Sequence, residues 1–182
     1  MPLRPAPALP FLQRSRPSFA LRRPELHFAC SAPLRFVHHL TLRCDPQTLF
    51  ECIASGEHEK HWFPDFAGLR WHDTPGVGAT RTYRLSYMRI VEHFTRWEPG
   101  KALEFWVSEC SLPLLDQFAE SYAIRPLNHE LTELTWHVGY EPRRALCALH
   151  PILRPIFARD FATASRQLGA YAEKLAIARG TR

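Results

Sequence analysis

Between Pro151 and Ala178 an apolar residue returns every three or four positions: Leu153, Phe157, Phe161, Ala164, Leu168, Tyr171 and Leu175. That spacing is one face of a helix with 3.6 residues per turn. Arg154, Arg159, Arg166, Glu173 and Lys174 fall between these positions and can stay in water. A helix from Pro155 to Ala178 is about 36 Å long at ~1.5 Å per residue. Pro155 lacks an amide hydrogen and clashes with the preceding turn, so the helix is expected to begin just before it or to kink there. A stripe of this length needs a broad apolar partner.

The middle of the chain offers one. His38, Leu40, Leu42 and Cys44 alternate with His39, Thr41 and Arg43 from Phe36 onward, which predicts a first strand. Asp45-Pro46 is a helix N-cap followed by proline at the first helical position. Leu49, Phe50 and Ile53 give that helix a short buried face, and 57–62 predicts a second short helix closed by Pro64. Alternation then returns around Leu69 and Trp71, over 79–85 and 88–97, at Leu103, Phe105 and Val107, at Phe118 to Ile124, and at Leu134 to Tyr140. The connections are too short for parallel crossovers, so the strands are expected to pair as an antiparallel meander. An extra turn or short helix is expected over 143–150. The order of strand, two short helices, about six strands and a long helix is that of an α+β chain with its helices on one side of a sheet.

Charge and cysteines restrict the function classes. The net charge of +5 resides in residues 1–35, where six arginines face Glu25 alone. The remainder is balanced, so the folded part carries no electrostatic footprint for nucleic acid. Residues 1–35 also contain seven prolines and no apolar period, which predicts a disordered basic tail rather than a secretory or transit peptide. The folded domain is then expected over 36–178, with a short tail at 179–182. No apolar run is long enough to span a bilayer. The five cysteines are odd in number and form no CxxC pair, so neither a disulfide framework nor a zinc site is indicated, and the cytoplasm is the expected compartment. Arginine outnumbers lysine twenty to three, a bias of GC-rich bacterial genomes.

Several segments together resemble the START-like superfamily, also called Bet v 1-like or SRPBCC, and within it the polyketide cyclase/dehydrase and lipid-transport group. They are Asp45-Pro46 with Leu49-Phe50, then Trp62-Phe63-Pro64, 76–79, Trp97-Glu98-Pro99-Gly100 with 101–103, Thr132 to Trp136, and the closing helix. The resemblance covers about 36–178. It implies a helix-grip fold, a curved antiparallel sheet of about seven strands wrapped around the C-terminal helix, with an apolar cavity between them. It further implies a small hydrophobic ligand, lipid- or polyketide-like, and no cofactor. A polyketide cyclase or dehydratase without metal or nucleotide, and an interaction module with a vestigial pocket, are the alternatives.

If Leu134 and Trp136 face inward, alternation brings Phe105, Tyr122, Phe94 and Tyr83 to the same concave side. With Trp62, Trp71, Phe157, Phe161, Ala164 and Leu168 they form the expected ligand-binding set. The small stretch around Ala164 (Thr163, Ser165 and Gly169) is where space for a ligand is expected, unless small residues there serve close helix–sheet approach. Arg81, Glu92 and Glu120 share these faces and are the catalytic candidates: buried charges must pair or meet a ligand, and a carboxylate can move a proton. A one-residue shift at a bulge would instead leave them in solvent. His58 and His61, beside Glu57 and Glu59, miss the HExxH spacing and read as a solvated helix face. No nucleophile motif or phosphate loop is present.

Overall fold

Alternating apolar residues in the middle of the chain build one sheet, and the long stripe lies in its concavity. A computed structural model describes residues 17–180. In order, the elements are β1 (Phe19–Ala20), α1 (Phe28–Ser31), β2 (Leu34–Leu42), α2 (Pro46–Ala54), α3 (Gly56–Glu59) and β3 (Phe66–Trp71). They continue with β4 (Thr80–Leu85), β5 (Arg89–Glu98), β6 (Ala102–Cys110), β7 (Leu115–Pro126), β8 (Thr132–Pro142), a 3-10 turn (Arg144–Leu149) and α4 (His150–Gly180). The main path is β2-β8-β7-β6-β5-β4-β3, all antiparallel, with β1 pairing off it onto β6. Short connections join β3 through β8 in succession, whereas α2 and α3 carry the chain from β2, which pairs with β8 at one end of the order, to β3 at the other.

Local chemistry sets the element ends. The Asp45 carboxylate accepts from the Thr48 amide at 2.9 Å, and Pro46 stands in the first turn of α2. Ser55 caps α3 in the same way, accepting from the Glu57 amide. On β8, Leu134, Trp136, Val138 and Tyr140 are all fully buried or nearly so. Trp136 and Tyr140 meet Phe161 and Phe157 of α4 edge to face, which fixes the concave side. The β5–β6 register shifts between Val91 and Glu92 and again between Phe94 and Arg96. These bulges turn the sheet while keeping Glu92 and Phe94 buried.

The long helix begins ahead of Pro155, as expected, and runs past the expected end at Ala178. It starts at His150, ahead of Pro155, and runs through Gly180, where Arg179 pairs with Glu51 of α2 at 2.7 Å. The Pro151 carbonyl loses its usual partner because Pro155 has no amide hydrogen. Mid-helix, Ala164, Leu168 and Ala172 are fully buried, and a Cβ on Gly169 would lie 3.0 Å from Leu42 Cδ2. The small residues around Ala164 therefore bring α4 close onto β2 and leave no room for a ligand there.

The expected disordered tail, 1–35, needs correction for the residues described, with 1–16 lying outside them. Leu21 and Arg22 amides bond to the Ser108 and Asp116 carbonyls, each at 2.8 Å, and Arg22 pairs with Asp116 and Glu141. Gln117 donates to the Arg23 carbonyl, and Leu34 and Arg35 belong to β2. The segment docks by backbone bonds and by a missing side chain, neither of which leaves an apolar period. A Cβ at Gly139 would stand 2.7 Å from Ala29 Cα and 2.8 Å from the Phe28 carbonyl oxygen. Gly139→Ala should therefore push α1 off the sheet, costing about 1–3 kcal/mol as other overpacking does. Faster tryptic cleavage after Arg22 is the readout; an unchanged rate would show that the segment is not held there.

Candidate functional site

Close packing around Ala164 moves the open space toward the N-terminal half of α4. There the helix and the concave sheet enclose a cavity of about 70 Å³, counted as room for the centre of a water molecule. One water needs roughly 10–15 Å³ on that measure. Its floor includes Tyr83 and Leu85 from β4, Ile90 from β5, Phe105 and Cys110 from β6, Phe118 from β7 and Tyr140 from β8. Ile53, Trp62 and Phe63 close one side, and Phe157, Asp160 and Phe161 form the roof. Tyr87, Met88 and Leu114, on two turns, stand at its mouth. Apart from Asp160 in the roof, the lining is apolar except for two clusters of buried polar groups.

The first cluster centres on Arg81. Its Nη1 donates to Glu59 Oε1 at 2.7 Å and its Nε to Glu92 Oε2, with all three side chains at most 3% exposed. Its guanidinium also lies 5.1–5.3 Å from the ring centroids of Trp71, Tyr83 and Phe94. Burial pushes the Glu59 carboxyl up to about 7, with Glu92 adding to the shift and Arg81 opposing it. Burial likewise raises Glu92. Burial alone would lower Arg81, yet the two carboxylates hold it above its ordinary value. One guanidinium cannot neutralise two carboxylates in a medium this poor in water, and uptake of a single proton removes the excess negative charge. Glu59 Oε2 and the Tyr83 hydroxyl are buried without a hydrogen-bond partner.

The second cluster centres on Glu120. Its Oε2 accepts from the Tyr122 hydroxyl at 2.6 Å and from Trp136 Nε1 at 2.9 Å. Tyr122 and Trp136 stack with centroids 5.1 Å apart. Burial pushes the Glu120 carboxyl up to about 8, against the two donated hydrogen bonds. Near neutral pH this group is therefore mostly a protonated acid, able to donate a hydrogen bond or a proton to an oxygen in the cavity.

The candidates from the sequence divide into three groups. Trp62, Tyr83, Phe105, Tyr122, Phe157 and Phe161 line the cavity, as do Arg81, Glu92 and Glu120. Trp136 lies behind Tyr122 and reaches the site through Glu120. Trp71 and Phe94 lie behind Arg81, and Trp71 with Trp97 and Phe50 faces a separate outer groove between α2–α3 and β3. Ala164 and Leu168 are packed away from the space. Sequence reasoning missed Glu59, the last residue of α3, with Trp62 in the turn that follows it. It also missed Met88 and Ile90, which continue the alternation of Glu92 and Phe94. Leu114 sits in a turn and carries no periodic signal. His58 bonds to the Tyr171 hydroxyl at 2.7 Å and His61 stacks on the same ring. No group of three or more metal-binding side chains comes together among the described residues. No helix among them is long and apolar enough to cross a membrane.

A family model described as polyketide cyclase / dehydrase and lipid transport matches residues 33–173. No curated protein matches the chain. Among solved structures, an aromatase/cyclase from a Streptomyces species superposes with a TM-score of 0.68 at 13% identity, covering 78% of this chain and 94% of that one. A START superfamily protein from Mycobacterium smegmatis gives 0.63 at 11% identity, covering 78% and 98%. A major latex-like protein from Panax ginseng gives 0.59 at 14% identity, covering 76% and 96%. At these identities the superpositions show a shared helix-grip fold.

Proposed function

The chain belongs to the polyketide cyclase/dehydrase and lipid transport family of the START/Bet v 1-like superfamily, and from that premise we propose that it binds a slender, mostly apolar molecule carrying one oxygen function. The family implies a cavity for a hydrophobic ligand. The observation that carries the finer reading is the convergence of Glu120, Tyr122 and the Arg81 cluster on a mainly apolar cavity, the usual design of a small-molecule site. The ligand's hydrophobic body lies against Phe105, Phe118, Phe157 and Phe161, and its oxygen accepts from the protonated Glu120. A lipid- or polyketide-sized molecule exceeds the space at rest, so Met88, Leu114 and Phe157 must move to admit it. The free state of all five cysteines supports placing the protein in a reducing compartment, the cytoplasm.

Glu120 also favours a second reading. An acid held near pH 8 beside a tyrosine can protonate a carbonyl and so drive a cyclisation or dehydration, a role worth about 10²–10⁴-fold in rate. Native mass spectrometry of the purified protein tests the first reading, which expects an apolar molecule to be retained. Glu120→Gln separates the two. The amide still accepts from Tyr122 and Trp136 and still offers an N–H, so a binding protein should keep its ligand within about 1 kcal/mol. An enzyme should keep affinity and lose turnover. If no ligand is retained and no hydrophobic probe binds, both readings fall and the pocket is vestigial.

A further inference from the structure

At the start of α4 three large apolar side chains stand in water: Leu149, Ile152 and Ile156, respectively 50%, 66% and 52% exposed. Their spacing of three and four puts them on one outer stripe, about a quarter-turn round the helix from Leu153 and Phe157. Arg159 continues that stripe and Arg144 precedes it, both exposed, whereas Arg154 turns to the other side of the helix, its guanidinium 6.0 Å from the Phe36 ring centroid. Neither Arg144 nor Arg159 forms an ion pair among the described residues. Residues 142–159 contain no acid. Glu141, just before them, is paired with Arg22, and Asp160, just after, lines the cavity roof. Farther along α4 the outward positions become Arg166, Gln167, Ala170 and Lys174. The ridge lies on the side of the cavity mouth, where Tyr87 is also 45% exposed, while the other exposed large apolar side chains, Leu26, Val37, Val77, Leu127 and Ile177, lie elsewhere.

We propose that this end of α4 docks on an anionic lipid surface, with the cavity mouth turned toward the bilayer. An apolar ridge bordered by basic residues is the pattern of a helix that lies in a membrane interface. Arginine stems can lie along the acyl boundary while their guanidiniums reach the phosphates. An acidic protein surface would satisfy the arginines equally well. The lipid is favoured because the ridge borders an apolar cavity, so a hydrophobic molecule can pass from bilayer to cavity without crossing water. That passage rests on the binding function proposed above, whereas the docking rests on the ridge alone.

Vesicle co-sedimentation of the full chain tests it, comparing phosphatidylcholine vesicles with vesicles containing phosphatidylglycerol. Binding to the anionic vesicles is expected, weakening as salt rises. Arg144→Gln with Arg159→Gln should lower affinity about 5-fold per arginine. Ile152→Glu with Ile156→Glu should abolish it while leaving thermal melting and aminoanthracene uptake unchanged. All variants keep the N-terminal arginines, so vesicle binding that survives both pairs of changes would belong to the tail and overturn the proposal. Absence of binding to anionic vesicles would overturn it too. Self-association lost in the Ile152→Glu, Ile156→Glu variant, without vesicle binding, would reassign the ridge to a protein interface. Loss of aminoanthracene uptake by the wild type, with vesicle binding intact, would count against the ligand-binding function and leave the docking standing.

Discussion

Arg81→Met should lower stability by about 3–5 kcal/mol, the usual cost of removing one member of a buried ion pair. The variant leaves Glu59 and Glu92 facing each other at no more than 3% exposure with no cation between them. For a chain of this size each kcal/mol moves Tm by roughly 2–4 °C, so a fall of about 6–20 °C is expected. The deficit should depend on pH. Glu59 stands near 7 in the fold against an ordinary 4.5. The native state therefore holds this proton more tightly than the unfolded chain. Its contribution to stability is full below the unfolded value and is lost as pH rises through about 7. Without the guanidinium both carboxyls rise further, so the variant pairs them as neutral acids at low pH and suffers most at high pH. Melting curves at pH 4 and pH 8 check this, with a small deficit expected at the first and a large one at the second. Glu59→Gln and Glu92→Gln, added to Arg81→Met, should restore most of the loss. An equal deficit at both pH values, or no recovery in the triple variant, would show that Arg81 matters for packing and not for charge.

The same residues show what sequence patterns can convey. Arg81, Glu92 and Glu120 fall on inward positions because each follows the alternation of its own strand. The β5–β6 bulges lie between the strands and do not break that alternation on β5 near Glu92. The strand order and the helix grip follow from equally local signals: short connections, Asp45-Pro46 and the three-four spacing of the last helix. What fails is anything set between elements. Ala164 and Gly169 look like space when read alone, yet they are small because β2 lies against them. Glu59 looks solvated because its helix spans four residues, too few to display a face. Docking of the first described residues depends on Gly139, more than a hundred positions away, and the prolines conceal any period. The cavity is likewise a property of the assembly, located where Phe157 and Phe161 lean over the sheet.

Leu115→Trp should abolish ligand uptake without harming the fold. Leu115 opens β7, is 7% exposed and lines the cavity. An indole in its place has the 70 Å³ space available to it. Filling an existing void adds contacts without displacing neighbours, so Tm should hold or rise, whereas forcing the same ring into a packed core costs about 1–3 kcal/mol. Ile90→Phe, entering from the neighbouring β5 wall, provides a second test with a smaller increment. Aminoanthracene is a suitable probe because its rings suit the apolar walls and its amine can meet Glu120. A ligand bound only by the native state at a hundredfold excess over Kd adds about 2.7 kcal/mol, or roughly 5–11 °C in Tm for a chain of this length. The wild type should show that shift, and both variants should lose it. If a variant keeps the shift at full amplitude, the probe binds elsewhere, the outer groove of Trp71 and Trp97 being the first place to examine. If both variants melt well below the wild type, the space is not available to a side chain and would not be available to a ligand. Retained stability with lost uptake would locate binding between the sheet and the first half of α4, beside the turns that carry Met88 and Leu114.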